Sequence, residues 1–288
     1  MTGRAPHGAT LERHKLPQIT LAFWIMKICA TTLGETAGDL FSMTLDVGYA
    51  VSSLVLVGAF AILLVSQLKA ERFHPFLYWA VILATSTAGT TVSDFVDRTL
   101  ALGYARGAAL LLALLLAILA AWYWSTGSLS VTDVRSRRAE VFYWTAILIS
   151  NTLGTALGDF LADSSGLGFT GGALVIGGLI AVIVVANYLT RISKVTLFWA
   201  AFVLTRPFGA TFGDLLTKTP ANGGLGFGTI GSSAVLLSIL LGLVLRTRGQ
   251  ERRRRHGDDH GHGPRRSRLT ASRSPGSTSP SPPPAPPT

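Results

Sequence analysis

The sequence is poor in cysteine and in charged residues. Cys29 is the single cysteine, which excludes an intramolecular disulfide and a metal site built from several cysteines. Only 14% of the 288 residues are charged, whereas an average soluble domain has roughly 25%. This deficit excludes an ordinary soluble enzyme, a disordered protein and a DNA-binding domain, and we expect no nucleic-acid partner.

Catalytic motifs are missing as well. Neither the His-Glu-x-x-His motif of zinc proteases nor the Gly-x-Ser-x-Gly motif of serine hydrolases occurs. Gly-Asp pairs are similar to the Gly-x-Gly-Asp motif of membrane aspartyl proteases, but each lacks the first glycine, and no Tyr-Asp pair is present. We therefore expect a protein that is not an enzyme and that needs no cofactor.

Hydrophobic residues make up 49% of the chain and are concentrated in eight runs. Each run is long enough to cross a bilayer core roughly 30 Å thick as a helix. The even-numbered runs are uniformly apolar, whereas the odd-numbered runs carry glycine, threonine, serine and carboxylates. We expect an all-α, polytopic membrane protein of eight helices, with the polar odd helices inside. The predicted spans are 18–42, 48–68, 76–96, 101–124, 141–162, 168–189, 196–217 and 226–245.

Basic residues alternate between the loops. They cluster at the N-terminus, in every second loop and after the last span, and cytoplasmic loops are the ones that carry such an excess. Both termini are therefore predicted to be cytoplasmic, in the cell inner (plasma) membrane. The predicted organisation is a segment 1–17, a membrane half 18–124, a cytoplasmic linker 125–140, a second membrane half 141–245, and a basic, Pro/Ser/Arg-rich disordered tail 246–288.

Internal repetition is the strongest pattern in the sequence. A tryptophan begins each odd span, and an aspartate follows it at the same offset in all four cases. The first two tryptophans are separated by the same interval as the last two, and the middle interval is longer, which indicates a two-repeat half that was duplicated. We expect four parallel two-helix repeats with pseudo-fourfold or nested twofold symmetry. The pairs are Trp24 and Asp39, Trp79 and Asp94, Trp144 and Asp159, and Trp199 and Asp214.

Four tandem units of this kind resemble the bacterial membrane-protein family that is defined by a repeat of unknown function. The resemblance covers about residues 19–245, and its marks are the tryptophan and the Gly-x-x-x-Gly-Asp segment. The second repeat departs from the pattern, because Ser93 replaces the second glycine. The resemblance implies an architecture of paired spans and no particular activity.

Two small residues, four positions apart, follow each tryptophan at fixed offsets. Small-x-x-x-small spacing lets helices approach closely in lipid, so we assign these residues to helix packing. The four tryptophans near the span ends are predicted to be anchors at the membrane interface. Lys27 lies within one turn of the interface in the first span, and we expect its side chain to snorkel to the interface. The packing residues are Gly34, Gly38, Gly89, Ser93, Gly154, Gly158, Gly209 and Gly213.

The four aspartates admit two interpretations. A carboxylate at the bilayer centre costs roughly 2.5–3.5 kcal/mol, so each must face the bundle interior or water. They either form a site that binds a cation or relays protons, or they hold helices together through hydrogen bonds. Glu35 and Arg206 break the fourfold pattern, and we predict that Arg206 pairs with Glu35 or with an aspartate.

These patterns predict a membrane transporter or permeation pathway for a small cation or a proton-coupled solute. Its site would consist of the four aspartates with Glu35 and Arg206, and its expected partners are the lipid bilayer and a cation or proton. The alternative is a scaffold or sensor that transports nothing. The sequence leaves open the substrate, the identity of any metal, the oligomeric state and whether the aspartates converge.

Overall fold

The computed structural model describes residues 17, 19–70, 73–131, 134 and 136–261, and of 250–261 only the backbone. Eight long α-helices and no strand occur in this part of the chain. The chain divides into one compact unit that ends at Arg248 and a second that begins at Gly249. The helices are α1 Leu21–Asp39, α2 Tyr49–Lys69, α3 Pro75–Asp94, α4 Tyr104–Thr126, α5 Arg137–Asp159, α6 Gly168–Leu189, α7 Lys194–Thr217 and α8 Thr229–Gly261.

Seven of these helices, α2 to α8, are long and apolar enough to cross a membrane. The eighth predicted span corresponds to α1, which contains three charged residues, Lys27, Glu35 and Asp39. Between 61% and 67% of the residues in the spans of α3, α5 and α7 are buried, against 11–28% in the even-numbered helices. The polar odd helices therefore lie inside, as their composition predicts.

The odd-numbered helices α1, α3, α5 and α7 form a closed ring. Each packs against two others, α1 and α5 both contacting α3 and α7. The even helix of one repeat packs on the odd helix of the next, so that α2 covers α3, α4 covers α5 and α6 covers α7. Contacts between α8 and α1 continue this order, since Ser233 Oγ lies 2.8 Å from Thr36 Oγ1.

Glycines allow the close approach of the inner helices. A Cβ on Gly209 would lie 2.6 Å from Thr31 Oγ1, and one on Gly89 would lie 3.0 Å from the backbone of Asn151. In each case the first packing glycine of one repeat meets an equivalent position of the next repeat around the ring. This is the close packing that the small-residue spacing predicts. The remaining pairs of this type are Gly34 with Ser86 and Gly154 with Arg206.

The inner helices end in a regular way. α1, α3 and α5 each finish at their aspartate and continue into a short π-helical turn, whereas α7 continues to Thr217. A glycine at the start of each even helix, or within three residues before it, has a positive φ, which a residue without a Cβ adopts at little cost. These glycines are Gly48, Gly103, Gly168 and Gly226.

The repeated tryptophans pack against protein. Trp79, Trp144 and Trp199 are at most 6% exposed, and Trp24 is half-buried. Their rings contact neighbouring aromatic residues, as between Trp144 and Tyr143. This corrects the prediction of interface anchors, because an anchor presents its ring to the headgroups. A tryptophan near a span end fits either role, and helix rotation decides between them.

Some predicted boundaries also need correction. The linker predicted at 125–140 is shorter, since α4 extends to Thr126 and α5 begins at Arg137. α8 continues to Gly261, so the first part of the tail predicted to be disordered from 246 is helical. The N-terminal segment 1–17, apart from Pro17, and the tail beyond residue 261 lie outside the described residues.

Candidate functional site

The four repeated aspartates end the inner helices or lie near their ends, and all are buried. Their exposed fractions are only 2–5%, although each carries a carboxyl group. They do not meet at one point. The structure brings them together as two pairs, and a basic side chain bridges each pair.

Lys218 bridges the first pair. Its Nζ lies 2.9 Å from Asp39 Oδ2 on α1 and 3.1 Å from Asp214 Oδ1 on α7. Burial alone would lower the pKa of Lys218, but the two nearby carboxylates raise it by more, so the pKa lies above its ordinary value. The lysine side chain is therefore positively charged. We call Lys218, Asp39 and Asp214, together with the neighbouring Glu35 and Arg206, the Lys218 cluster.

Arg98 bridges the second pair. Its Nε lies 2.9 Å from Asp94 Oδ1 on α3, and its Nη2 lies 3.7 Å from Asp159 Oδ2 on α5. The guanidinium also lies over the rings of Tyr49 and Tyr104. The planar group thus reaches both carboxylates through different nitrogens. We call these groups the Arg98 cluster: Arg98, Asp94 and Asp159, with Ser86 and Thr155 of the same two helices.

Sequence reasoning missed both bridging residues. It placed Arg98 and Lys218 in loops and gave them no role. A signal was nevertheless present, because each stands one helical turn after the aspartate of its own repeat, in an i,i+4 pair. Met43 and Asp163 hold this position in the first and third repeats. A cation therefore occurs in every second repeat, which reduces the fourfold pattern to a twofold one.

An ion pair lies at the centre of the ring. Arg206 Nη1 donates to Glu35 Oε2 at 2.8 Å, and both residues are at most 3% exposed. Arg206 Nη2 also donates to the backbone oxygen of Ser86 and to Thr90 Oγ1. The prediction that Arg206 pairs with Glu35 is confirmed. A buried pair of this kind needs these additional hydrogen bonds to offset its desolvation.

The Arg98 cluster has hydroxyl groups where the Lys218 cluster has this ion pair. Ser86 occupies the position in its repeat that Arg206 occupies in the fourth, and Thr155 occupies the position of Glu35 in the first. The side-chain oxygens of Ser86 and Thr155 are buried and form no hydrogen bond. Equivalent positions of the two clusters therefore differ sharply in charge.

Lys27 extends the buried polar groups along the ring interior. The residue is completely buried, with Nζ 4.0 Å from the centre of the Phe202 ring and 3.4 Å from Asn151 Oδ1. Asn151 in turn donates to Thr85 Oγ1 at 2.9 Å. The interpretation of Lys27 as a residue that snorkels to the interface is wrong, because its side chain points into the bundle.

A cavity adjoins both clusters. It has a volume of about 470 Å³, and Arg98, Lys218 and Asp214 line it together with Asp163 and Asn222. The side chain of Lys218 is 28% exposed and that of Arg98 37%. The two bridging cations thus face a space that is large enough for hydrated ions.

Three carboxylates in the Lys218 cluster could hold a metal ion. Glu35, Asp39 and Asp214 are buried, and one oxygen from each lies within 4.8 Å of the others. Carboxylate oxygens are ligands for hard cations such as Mg²⁺, Mn²⁺ and Ca²⁺. The arrangement can bind a cation or accept a proton.

The chain was compared with known proteins. No characterised protein and no solved structure gave a significant match. One family profile, the Repeat of Unknown Function (DUF347), matches four consecutive segments, residues 22–73, 77–128, 142–193 and 197–253. These segments coincide with the four tryptophan-initiated repeats and cover most of the chain. The protein is therefore a helical, multi-pass membrane-type protein that belongs to the DUF347 repeat family.

Proposed function

We propose that the protein transports a small cation, the proton included, along the axis of the inner helix ring. The observation that carries this proposal is the burial of four aspartates and Glu35 inside a ring of membrane-type helices. Ionisable residues within a membrane domain are costly, and they mark substrate and ion pathways, proton relays, voltage sensors or counter-ions of a ligand. Passive permeation of the cation and coupled transport of it would both use these carboxylates.

A continuous set of polar groups supports a pathway. The cavity that adjoins both clusters, which we call the outer cavity, reaches Asp214 and Lys218. The central pair Arg206–Glu35 follows further inside. Lys27 and Asn151 continue the polar groups past this pair. These side chains would offer an ion or a proton successive positions across the ring.

The proposed topology follows from the repeats. All eight helices, α1 included, cross the inner membrane, with both termini in the cytoplasm and the four odd helices parallel. α1 is tolerated in the membrane because its three charged residues face the ring interior and not lipid. The aspartates would then lie toward the outer face, next to the cavity.

A scaffold role is the second candidate, since one observation favours it. Every repeated aspartate lies within 4 Å of a basic side chain, and a stable set of ion pairs can hold helices together without any transport. The two candidates differ in what a loss of charge does to flux.

Flux measurements on reconstituted protein test the proposal. Liposomes with the protein and an internal pH- or cation-sensitive dye are compared with liposomes that carry Asp214→Asn. We expect the variant to lose at least nine-tenths of the flux and to remain folded. Asp46→Asn is the matched control, because Asp46 is an exposed carboxylate at a positive φ that asparagine tolerates. Equal flux in all three preparations would favour the scaffold.

A further inference from the structure

The position of Lys218 indicates more than an ion pair. Its ammonium lies between two buried carboxylates on different helices, at 2.9 Å and 3.1 Å, where a bound cation would lie. Building on the proposed function, we propose that Glu35, Asp39 and Asp214 form a site for a hard divalent cation. Lys218 is a tethered cation that occupies this site until the ion displaces it.

The donor set fits such an ion. Each of the three carboxylates offers an oxygen, and these oxygens lie within 4.8 Å of one another. Two oxygens that bind the same ion at roughly 2.0–2.6 Å are at most about 5 Å apart. All three donors are charged oxygens, and no sulfur or nitrogen ligand competes for a softer metal among them. The set therefore selects Mg²⁺, Mn²⁺ or Ca²⁺ as a class.

The charges of the Lys218 cluster also fit a divalent ion. Arg206 neutralises Glu35 through their 2.8 Å ion pair. Asp39 and Asp214 then carry two negative charges, of which Lys218 cancels one. When the lysine leaves, the charge that remains equals that of one divalent cation with opposite sign. If the lysine left without a replacement, two buried negative charges would stay uncompensated in place of one, so another cation must take its position.

The side chain of Lys218 can move from the carboxylates into the outer cavity when an ion displaces it. Lys218 directly follows the last residue of α7, its side chain is 28% exposed, and it lines the outer cavity. Asp163, an exposed carboxylate, lines the same cavity and would pair with the displaced ammonium. Asp214 Oδ1 is buried and near the lysine, yet it accepts no well-directed hydrogen bond, so it retains a free lone pair for an incoming ion.

The Arg98 cluster lacks these features. Thr155 replaces the third carboxylate, and the guanidinium contacts both aspartates through separate nitrogens. A planar fork of this kind is a better permanent clamp than an ammonium on a flexible stem. We therefore expect one divalent site for each chain, in the Lys218 cluster alone.

Binding of Mn²⁺ tests this inference. The full-length protein in detergent is titrated with Mn²⁺, and the free ion is followed by electron paramagnetic resonance. Lys218→Met removes the tethered cation and should bind one Mn²⁺ at least tenfold more tightly than the unmodified protein. Arg98→Met is the matched control and should show no such gain. Lys218→Met combined with Asp39→Asn should lose the gain. This double variant keeps His256, His260 and His262 of the tail, so a gain caused by metal binding to those histidines would persist in it.

Several outcomes would overturn the site. They are equal Mn²⁺ affinity of Lys218→Met and the unmodified protein, an equal gain in Arg98→Met, or a gain that survives Asp39→Asn. Lys218→Gln, which keeps a hydrogen-bonding side chain, gives the same answer if Lys218→Met does not fold.

The flux measurement separates this inference from the transport proposal. A tenfold gain in Mn²⁺ affinity without flux that depends on Asp214 would support the site and remove transport. Flux that depends on Asp214 without the gain would support transport and overturn the divalent site.

Discussion

The Lys218 and Arg98 clusters occupy equivalent places on opposite sides of the helix ring, yet they differ in chemistry. Both have two buried aspartates bridged by one cation that stands one helical turn after the aspartate of its own repeat. Only the Lys218 cluster adds a central ion pair, Arg206 with Glu35. The Arg98 cluster has two buried hydroxyls at the corresponding positions, and neither forms a hydrogen bond.

This difference shows how a repeat protein gains an asymmetric site. The backbone contacts are nearly the same around the ring, because a glycine of each repeat meets the same position of the next. A few side chains inside the ring then change the charge of one side of the ring and leave the helix packing unchanged.

Breaking the central pair should have the largest effect. Arg206→Met leaves the Glu35 carboxylate buried without its partner, and we expect a loss of about 3–5 kcal/mol in unfolding free energy. Unfolding of the purified protein in detergent measures this loss. The double variant Arg206→Met, Glu35→Gln removes both charges and should recover most of it. If the two single losses simply add, the pair contributes no coupling.

Adding a methyl group to the ring glycines should lower the unfolding free energy by less than breaking the central pair does. The loss should occur on both sides of the ring. Gly209→Ala and Gly89→Ala each force two inner helices apart, which costs about 1–3 kcal/mol. The loss at Gly209 should be the larger, because the contact there is closer. Gly178→Ala on α6 is the control, since its Cβ would meet nothing within 4 Å. Equal melting temperatures for all three variants would contradict the close packing of the ring.

Exchanging the bridging cations should affect the Arg98 cluster and the Lys218 cluster differently. Arg98→Lys replaces a fork by a single ammonium that cannot hold both aspartates equally, and we expect a loss of about 1 kcal/mol because the guanidinium is partly exposed. Lys218→Arg should leave stability nearly unchanged and weaken Mn²⁺ binding, because a guanidinium clamps the aspartates more firmly. The melting temperatures of both variants test the expected stabilities, and a Mn²⁺ titration of Lys218→Arg tests the weaker binding. Identical behaviour of the two variants would make the clusters equivalent.

Removing a hydroxyl from the Arg98 cluster should have the smallest effect. Ser86→Ala deletes a buried side-chain oxygen that forms no hydrogen bond, so stability should stay within about 1 kcal/mol or rise slightly. Thr90→Val is the contrasting variant, because Thr90 Oγ1 hydrogen-bonds Glu35 and Arg206. It should be the less stable of the two in the same unfolding measurement. The reverse order would mean that Ser86 has a partner in solution.

Sequence reasoning identified much of this site. The fixed spacing of aspartates after tryptophans located the buried carboxylates, and the lone Arg206 predicted its pairing with Glu35. It did not identify Lys218 and Arg98 as bridging residues, because both follow the predicted ends of their spans, at residues 96 and 217, and were placed in loops. A residue that alternates between repeats is visible only when the twofold pattern is considered.

The remaining errors concern the direction in which side chains point. Lys27 and the tryptophans lie near the ends of apolar spans, where both an interfacial and an inward orientation agree with hydropathy. Their burial in the structure follows from the rotation of each helix about its axis. That rotation is set by contacts with neighbouring helices, which a single span does not encode.

Hydrophobic length and fixed spacing are local properties of the chain, so they are enough to predict the helical membrane class, the four repeats and the residues that carry charge into the bundle. Which repeats are neighbours, and how each helix is rotated, depends on tertiary packing. Those two features determine that Asp39 pairs with Asp214 through Lys218, and Asp94 with Asp159 through Arg98. Bridging one cation between two helices requires both helices to be in place, so only the packed ring could produce it.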